Sequence, residues 1–348
     1  MNKKSLHAGL LLLAGLGILF LFPSHISGDS EGKVLDLPIY LNTAYSFEER
    51  AADLISRLTL EEKESLLGNS MPAVPRLGIN AFNVWNEALH GVMGGFNPNP
   101  DAGSATSFPN SVALGSSWDP ELMQREATAI SDEARALNTP VIRGLTFWSP
   151  VVEPVRDPRW GRTGETYGED PFLIAQIAGG FIRGMMGSDE QYLKTVPCGK
   201  HFFANNSEFD RHVSSSDMDD RDMREYYLAP YKSLIERDRL PSIMSCYNAV
   251  NGVPVSASKL YLDTIARRTF GLKGYITGDC AAIEDIYGAL LCGDGRGSNC
   301  TWTEGRSGYG LWERVSDQCH RGPEQGAHYG SGYGQGPVAH VYHADADR

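Results

Sequence analysis

The chain has 348 residues, 41% of them apolar and 21% charged, which suits a globular protein of one large or two ordinary domains. A net charge of −12 with no Lys/Arg-rich run argues against a nucleic-acid partner, which needs a basic face. The six Cys, at 198, 246, 280, 292, 300 and 319, form no C-x-x-C pair and no zinc spacing, so no metal site is expected. Cys198, Cys246 and Cys280 lie in strand-like runs and read as buried small apolar residues.

Lys3 and Lys4 precede the apolar run "AGLLLLAGLGILFLF" at 8–22, which Pro23 breaks before the small residues Ser24, Ser27 and Gly28. That layout predicts a secretory signal peptide over 1–28. The run is short of the ~20 apolar residues that a spanning helix needs. The expectation is therefore export, to the periplasm or the extracellular space, with no stable membrane insertion after signal removal.

From residue 36 to about 290, strand-like and helical runs alternate. "TAYSFEERAADLISRL" opens with Ser46 and Glu49 in a capping box, and "LTLEEKESLL" repeats the device with Thr59 and Glu62. "NAFNVWN" reads as a strand. "SWDPELMQREATAISDEARAL" reads as a helix with Asp119 as N-cap and Pro120 in the first turn. The strand "LTFWSPVV" follows, then the helix "EDPFLIAQIAGGFIRGMM", again with an Asp-Pro start at Asp170 and Pro171. Next come the strand "LKTVPCGKHF" and the helix "DMREYYLAPYKSLIERD", which Pro230 must bend or interrupt. The series closes with the strand "LPSIMSCYNAV", the helix "SASKLYLDTIARRTF" and the strand "KGYITGD". Such alternation with short connections means parallel strands and crossover helices. A span of ~255 residues suits a (β/α)8 TIM-type barrel. A doubly wound dinucleotide fold loses support, because no G-x-G-x-x-G follows a first strand. The fold class expected is α/β, a (β/α)8 TIM-type barrel incomplete at its C-terminal end.

The alternation stops near residue 288. The tail is crowded with Gly, His, Arg and Ser, contains no Ile, and shows neither helical nor strand period. Residues 291–348 are expected to be disordered, and their abrupt change of character suggests a shifted reading frame.

In a parallel barrel the active site forms beyond the C-terminal ends of the strands. Polar side chains follow each apolar run: Asn86, Glu87 and His90; then "EPVRDPRWGRTGETYGED"; then Lys200 and His201; then Tyr247 and Asn248; and finally Asp279. Carboxylates, basic groups and aromatic rings in one mouth suit a carbohydrate. Each residue also has a plainer reading. Glu87 could sit at a helix start. Arg159 could stack on Trp160 at the surface. Lys200 could be a solvated charge. Asp279 could cap the helix that follows it.

The motifs "WNEALHGV", "EPVRDPRWGRTGETYGEDP", "GKHFFANN", "IMSCYNAVNGVP" and "GYITGDCAAI", in this order, closely resemble the N-terminal domain of glycoside hydrolase family 3, its β-xylosidase/β-glucosidase branch. The resemblance covers roughly 40–290, and the barrel domain is expected over 36–290. It implies an exo-acting retaining hydrolase that releases a non-reducing-end β-xylosyl or β-glucosyl residue from an oligosaccharide or an aryl or alkyl β-glycoside, without a cofactor. It further implies Asp279 as nucleophile. Glu87, Arg162, Lys200 and His201 would be sugar-holding residues, with Met244 and Tyr247 lining the pocket. Family members commonly have Ser-Asp where this chain has Gly278-Asp279. The branch's acid/base Glu comes from a second domain, so the chain is expected to be truncated before it. Two alternatives remain. One is a single-domain β-N-acetylglucosaminidase with Asp210 and His212 as acid/base, although "KHFFANN" stands where those enzymes carry "KHFPGHG". The other is a catalytically silent sugar-binding fragment.

Overall fold

The computed structural model describes residues 37–93, 105–138, 144–286 and 340–341. The expected signal peptide lies outside these residues, and so does the expected tail apart from His340 and Val341.

In chain order the elements are α1 (Phe47–Arg57), α2 (Leu60–Ser65), β1 (Ser70–Met71), β2 (Phe82–Asn83), α3 (Ser111–Gly115), α4 (Pro120–Leu137), β3 (Thr146–Phe147), α5 (Pro171–Met186), β4 (Val196–Phe202), β5 (Ser215–Ser216), α6 (Asp220–Asp222), α7 (Ala229–Glu236), β6 (Ser242–Ser245), β7 (Ala249–Val250), β8 (Val253–Pro254), β9 (Ile276–Gly278), α8 (Ala282–Asp285) and β10 (His340–Val341). The described residues from Leu37 to Leu54 belong to one compact unit. Within it the Tyr40 N–H donates to Asp53 Oδ2 at 3.0 Å, and Arg50 Nε donates to the Tyr40 carbonyl at 3.1 Å. The capping box at Ser46 and Glu49 forms in both directions, at 2.9 and 3.2 Å.

The second unit, from Ile55 onward, holds the main sheet, with strand order β10-β9-β6-β4-β3. The pairs β3–β4, β4–β6 and β6–β9 are parallel, while β10 joins β9 antiparallel. Strands entering in chain order with helices between them curl as an arc of a TIM-type barrel. Central strands are buried on both faces, as a parallel sheet covered by helices requires. All four residues of β6 and six of the seven in β4 are buried. The segment Val84–Asn86 is strapped alongside β3. Asn86 Nδ2 donates to the Thr146 carbonyl, Thr146 Oγ1 to the Val84 carbonyl and the Trp148 N–H to the Asn86 carbonyl, at 2.8 to 3.0 Å.

The N-caps read from sequence are in place. Thr59 and Glu62 form their capping box, Asp119 accepts from the Leu122 N–H, and Asp170 accepts from Phe172 and Leu173. Helices α4 and α5 approach closely because α5 presents glycine. A Cβ on Gly180 would lie 2.2 Å from the Pro120 carbonyl oxygen, and one on Gly184 would lie 2.5 Å from that of Gln124. Pro230 does interrupt its helix. Met223–Tyr227 is a π-helical turn and α7 starts afresh at Ala229, with Pro230 in its first turn, where a missing N–H costs nothing. Residues Leu260–Thr269 are likewise π-helical.

Two differences from the sequence reading have simple causes. "LPSIMSCYNAV" is two strands, because β7 leaves the main sheet to pair with β5 and β8. Asn251 and Gly252, with φ of 49° and 77°, make the tight turn between β7 and β8, a left-handed pair that Asn-Gly favours in hairpins. Cys198 and Cys246 are buried as expected, but Cys280 is exposed, since β9 ends at Gly278 and the chain has left the core. Among the described residues no helix is long and apolar enough to cross a membrane, and no cluster of three or more His, Cys, Asp or Glu could hold a metal.

Candidate active site

The polar residues that follow the strands converge. Lys200 and His201 lie at the C-terminal end of β4, Asp279 directly after β9, Tyr247 two residues beyond β6, and Glu87 beyond β2. Lys200 Nζ donates to Glu87 Oε1 at 2.6 Å, and Ser149 Oγ donates to Glu87 Oε2 at 3.1 Å. Lys200 is only 6% exposed, which answers the solvated-charge reading. Burial raises the Glu87 carboxyl above its ordinary value, while the Lys200 charge and its hydrogen bond pull it back down. Glu87 forms an isolated bridge with Met93 and starts no helix.

His201 is the hub. Its Nδ1 is 2.9 Å from Glu153 Oε2 and its Nε2 is 2.8 Å from Arg162 Nη1. Arginine can only donate, so Nε2 must accept and the ring proton sits on Nδ1, directed at Glu153. Burial drives the His201 pKa well down, and the positive charges of Arg162, Lys200 and Arg211 push the same way, so the ring is neutral. Arg162 is turned toward the site by Glu165, which takes Nε and Nη2 at 2.8 and 2.7 Å. Glu153 was not singled out in the sequence, although it stands immediately after the apolar run, where the same rule picks out Asp279. Its second oxygen accepts the Asn205 N–H at 2.8 Å. Burial pushes Glu153 up to about 8, against the pull of Arg162.

Asp279 does not cap α8. The residue before that helix is Ala281, and no side chain bonds its N-terminus. Asp279 Oδ1 accepts the Cys280 N–H at 2.7 Å, while Oδ2 is buried and has no hydrogen-bond partner. His201 Nε2 is 3.5 Å from Oδ2, but with its lone pair taken up by Arg162 it has no proton to give. An unpartnered carboxylate oxygen in a buried site is costly unless something else comes to it. Tyr247 is close enough that the Asp279 charge adds to burial in raising its phenol. The Tyr247 ring is flanked by the Arg211 guanidinium, 4.5 Å from its centroid, and by the His212 ring at the same distance.

Among the other residues singled out, Met244 is 1% exposed and packs with Met71, Val84, Trp148 and Cys198. Asp210 and His212 have different partners. Asp210 accepts from Ser207 Oγ, and His212 Nδ1 meets Asp285 Oδ2 at 2.9 Å. Neither His90 nor Asn248 has a hydrogen bond to Glu87 or Asp279: the His90 carbonyl accepts the Phe108 N–H while its Nδ1 is buried without a partner, and Asn248 Nδ2 donates to the Ala204 carbonyl.

Known proteins resemble this chain over most of its length. The family model described as "Glycosyl hydrolase family 3 N terminal domain" matches residues 75–291. The exo-1,4-beta-xylosidase bxlB of Emericella nidulans is 40% identical over 288 residues, which are 80% of this chain and 38% of that protein. A probable beta-D-xylosidase 7 of Arabidopsis thaliana is 38% identical over 82% of this chain and 39% of its own. Among solved structures, a GH3 exo-beta-xylosidase (XlnD) in complex with a xylobiose aziridine probe superposes with a TM-score of 0.69 at 32% identity, over 72% of this chain and 33% of that one. Beta-glucosidase 3B of Thermotoga neapolitana gives 0.60 at 28%, over 68% and 35%. The chain thus spans under two fifths of these relatives' length, and over that span it is similar to them in sequence and in fold: it belongs to glycosyl hydrolase family 3, with its match in that family's N-terminal domain.

Proposed function

We propose that this chain carries the sugar-holding pocket and the nucleophile of an exo-acting retaining β-glycosidase, with Asp279 as nucleophile and a non-reducing-end β-xylosyl or β-glucosyl residue as the sugar. The observation behind this reading is the state of Asp279 Oδ2, a buried carboxylate oxygen without a partner, set among Arg162, Lys200 and neutral His201. In a retaining mechanism such an oxygen attacks the anomeric carbon, and an ester links sugar to enzyme until water releases it. Glu87 and Lys200 would grip adjacent hydroxyls through charge-assisted hydrogen bonds. Arg162 would hold a third and, through His201, keep a proton donor away from Oδ2. Glu153 fixes the His201 tautomer on which that depends. Xylose is favoured over glucose by the names of the relatives, several of which are xylosidases.

Glu87, Glu153 and Glu165 are engaged with Lys200, His201 and Arg162, so none of them is assigned as the second carboxyl group of the reaction. In our reading it is the Glu that the family resemblance assigns to a second domain, and a leaving group that must be protonated departs ~10²–10⁴-fold more slowly without it. The domain division 1–28, 36–290 and 291–348, with export, remains part of the same proposal.

The test is binding and single-turnover release together. Xylose should bind, and Glu87→Gln should weaken it at least tenfold. A dinitrophenyl β-xyloside, whose leaving group needs no proton, should release dinitrophenol in a burst that Asp279→Asn abolishes. Sugar binding indifferent to Glu87, or a burst that survives Asp279→Asn, would overturn the assignment.

A further inference from the structure

One imidazole, that of His212, ties together the segments beyond three neighbouring strands of the main sheet, β4, β6 and β9. His212 itself lies between β4 and β5, Tyr247 follows β6, and Asp285 ends α8, the helix after β9 and Asp279. Its Nδ1 meets Asp285 Oδ2 at 2.9 Å, and its ring centroid lies 4.5 Å from that of Tyr247, with the planes 59° apart. Arg211 Nε donates to His212 Nε2 at 3.4 Å, and Glu208 anchors Arg211 in turn. Arginine can only donate, so Nε2 accepts and the ring proton sits on Nδ1, aimed at the Asp285 carboxylate. Both nitrogens are thereby engaged, and the place of the ring against Tyr247 is fixed from two sides.

Burial argues against stability as the purpose of this pair. The His212 side chain is 51% exposed and that of Asp285 16%. An ion pair so open to water contributes little to folding. The ring it braces is different: Tyr247 is 6% exposed. Burial first, and then the Asp279 charge, raise the Tyr247 phenol, which sets the phenol close to that carboxylate. Asp279 Oδ2 has no hydrogen bond to hold it. Its aim therefore depends on what packs around the carboxyl group, and Tyr247 is one such neighbour. A misplacement of about 1 Å at a reacting group can cost up to ~10²-fold in rate.

We propose that His212, anchored by Asp285, is a positioning residue that holds Tyr247 in place beside Asp279 for attack on the sugar. The proposal rests on the role argued above for Asp279. Two measurements on the full chain test it. The first is the dinitrophenyl β-xyloside burst, followed by stopped flow. His212→Ala and Asp285→Ala should each lower the burst rate constant about tenfold, within the range that misplacement costs. The burst amplitude and the substrate concentration for half-maximal rate should stay within about twofold of the unmodified chain, since neither residue is placed on the sugar. The amplitude counts folded sites, so a purely structural defect would lower it and spare the rate constant. The second measurement uses protein carrying 3-fluorotyrosine, with the Tyr247 fluorine signal assigned by its loss in Tyr247→Phe. Asp285→Ala should move that signal, and should no longer move it in a His212→Ala background, because the imidazole is the link. A burst rate constant unchanged in both variants, or a Tyr247 signal indifferent to Asp285, overturns the proposal. Should the unmodified chain give no burst, the failure is that of Asp279 as nucleophile, and the fluorine signal alone then decides whether His212 sets Tyr247.

Discussion

The Glu87–Lys200 pair allows a quantitative test. Lys200 Nζ and Glu87 Oε1 are 2.6 Å apart, and the two side chains are 7% and 30% exposed. Lys200→Met keeps the length of the side chain and removes its charge, while Glu87→Gln keeps the shape and removes the opposite charge. Losing one partner of a buried pair typically costs about 3–5 kcal/mol, because the remaining charge is stranded. The partial exposure of Glu87 allows water to reach it, so a smaller cost, about 2–3 kcal/mol, applies to each single change. Burial already raises the Glu87 carboxyl, and with Lys200 gone nothing of comparable size opposes it, so Glu87 takes up a proton at higher pH in the Lys200→Met protein. The double variant strands no charge and should lose far less than the sum of the singles. A double-mutant cycle on urea unfolding at pH 7 should give a coupling of about 1.5 kcal/mol or more. Additivity within about 0.5 kcal/mol would show that the two groups do not interact in solution and would remove the ground for treating them as one hydroxyl-gripping unit.

Glu153→Gln separates two descriptions of the hub. If the carboxylate accepts both the His201 Nδ1 proton and the Asn205 N–H, an amide must turn a donor toward one of them, and stability should fall by about 1–3 kcal/mol; an unchanged midpoint would mean that the group is protonated in the native protein. Glu126 offers a test of pH dependence. Its carboxyl, on a buried residue, is pushed up to about 7 by that burial, from an ordinary value of 4.5. A raised carboxyl contributes stability that is whole below about pH 4.5 and lost as the pH climbs through 7. Glu126→Gln should therefore change little at pH 4 and gain about 2 kcal/mol at pH 8, and equal effects at both values would refute this. Gly184→Ala places a methyl group against the Gln124 carbonyl and Ala127 and should cost about 1–3 kcal/mol by thermal unfolding, whereas a neutral result would mean that α4 and α5 can part without penalty.

Much of this organisation was legible because its causes are local. Asp119, Asp170 and the Thr59–Glu62 box are read from side chains that bond their own helix starts. The strands were found because β4 and β6 are buried on both faces and so form continuous apolar runs. The rule that polar residues after strands meet at one end of a parallel sheet gathered Glu87, Lys200, His201, Tyr247 and Asp279 along with His90 and Asn248, whereas Arg162 was singled out within its stretch only by the resemblance to the family. The remainder depended on contacts between segments far apart in sequence. Glu153 matters because His201, 48 residues away, turns Nδ1 toward it. His212 meets Asp285 across 73 residues, whereas the alternative resemblance to single-domain β-N-acetylglucosaminidases had set it beside Asp210. Met244 alternates inward along β6 into the cluster around Trp148. The β7–β8 hairpin did carry a local signal, Asn251-Gly252, but it lay inside an apolar run long enough to be read as one strand.

The central claim is that Asp279 Oδ2 is the attacking oxygen. Incubation with a dinitrophenyl 2-deoxy-2-fluoro-β-xyloside, followed by proteolysis and peptide mass spectrometry, tests it most directly, because the fluorine slows release of the ester and traps it. One fluoroxylosyl group per chain on Asp279, absent after Asp279→Asn, is the expected result. A label on Glu87, Glu153 or any other residue, or an unlabelled chain that nevertheless binds the sugar, would contradict the account.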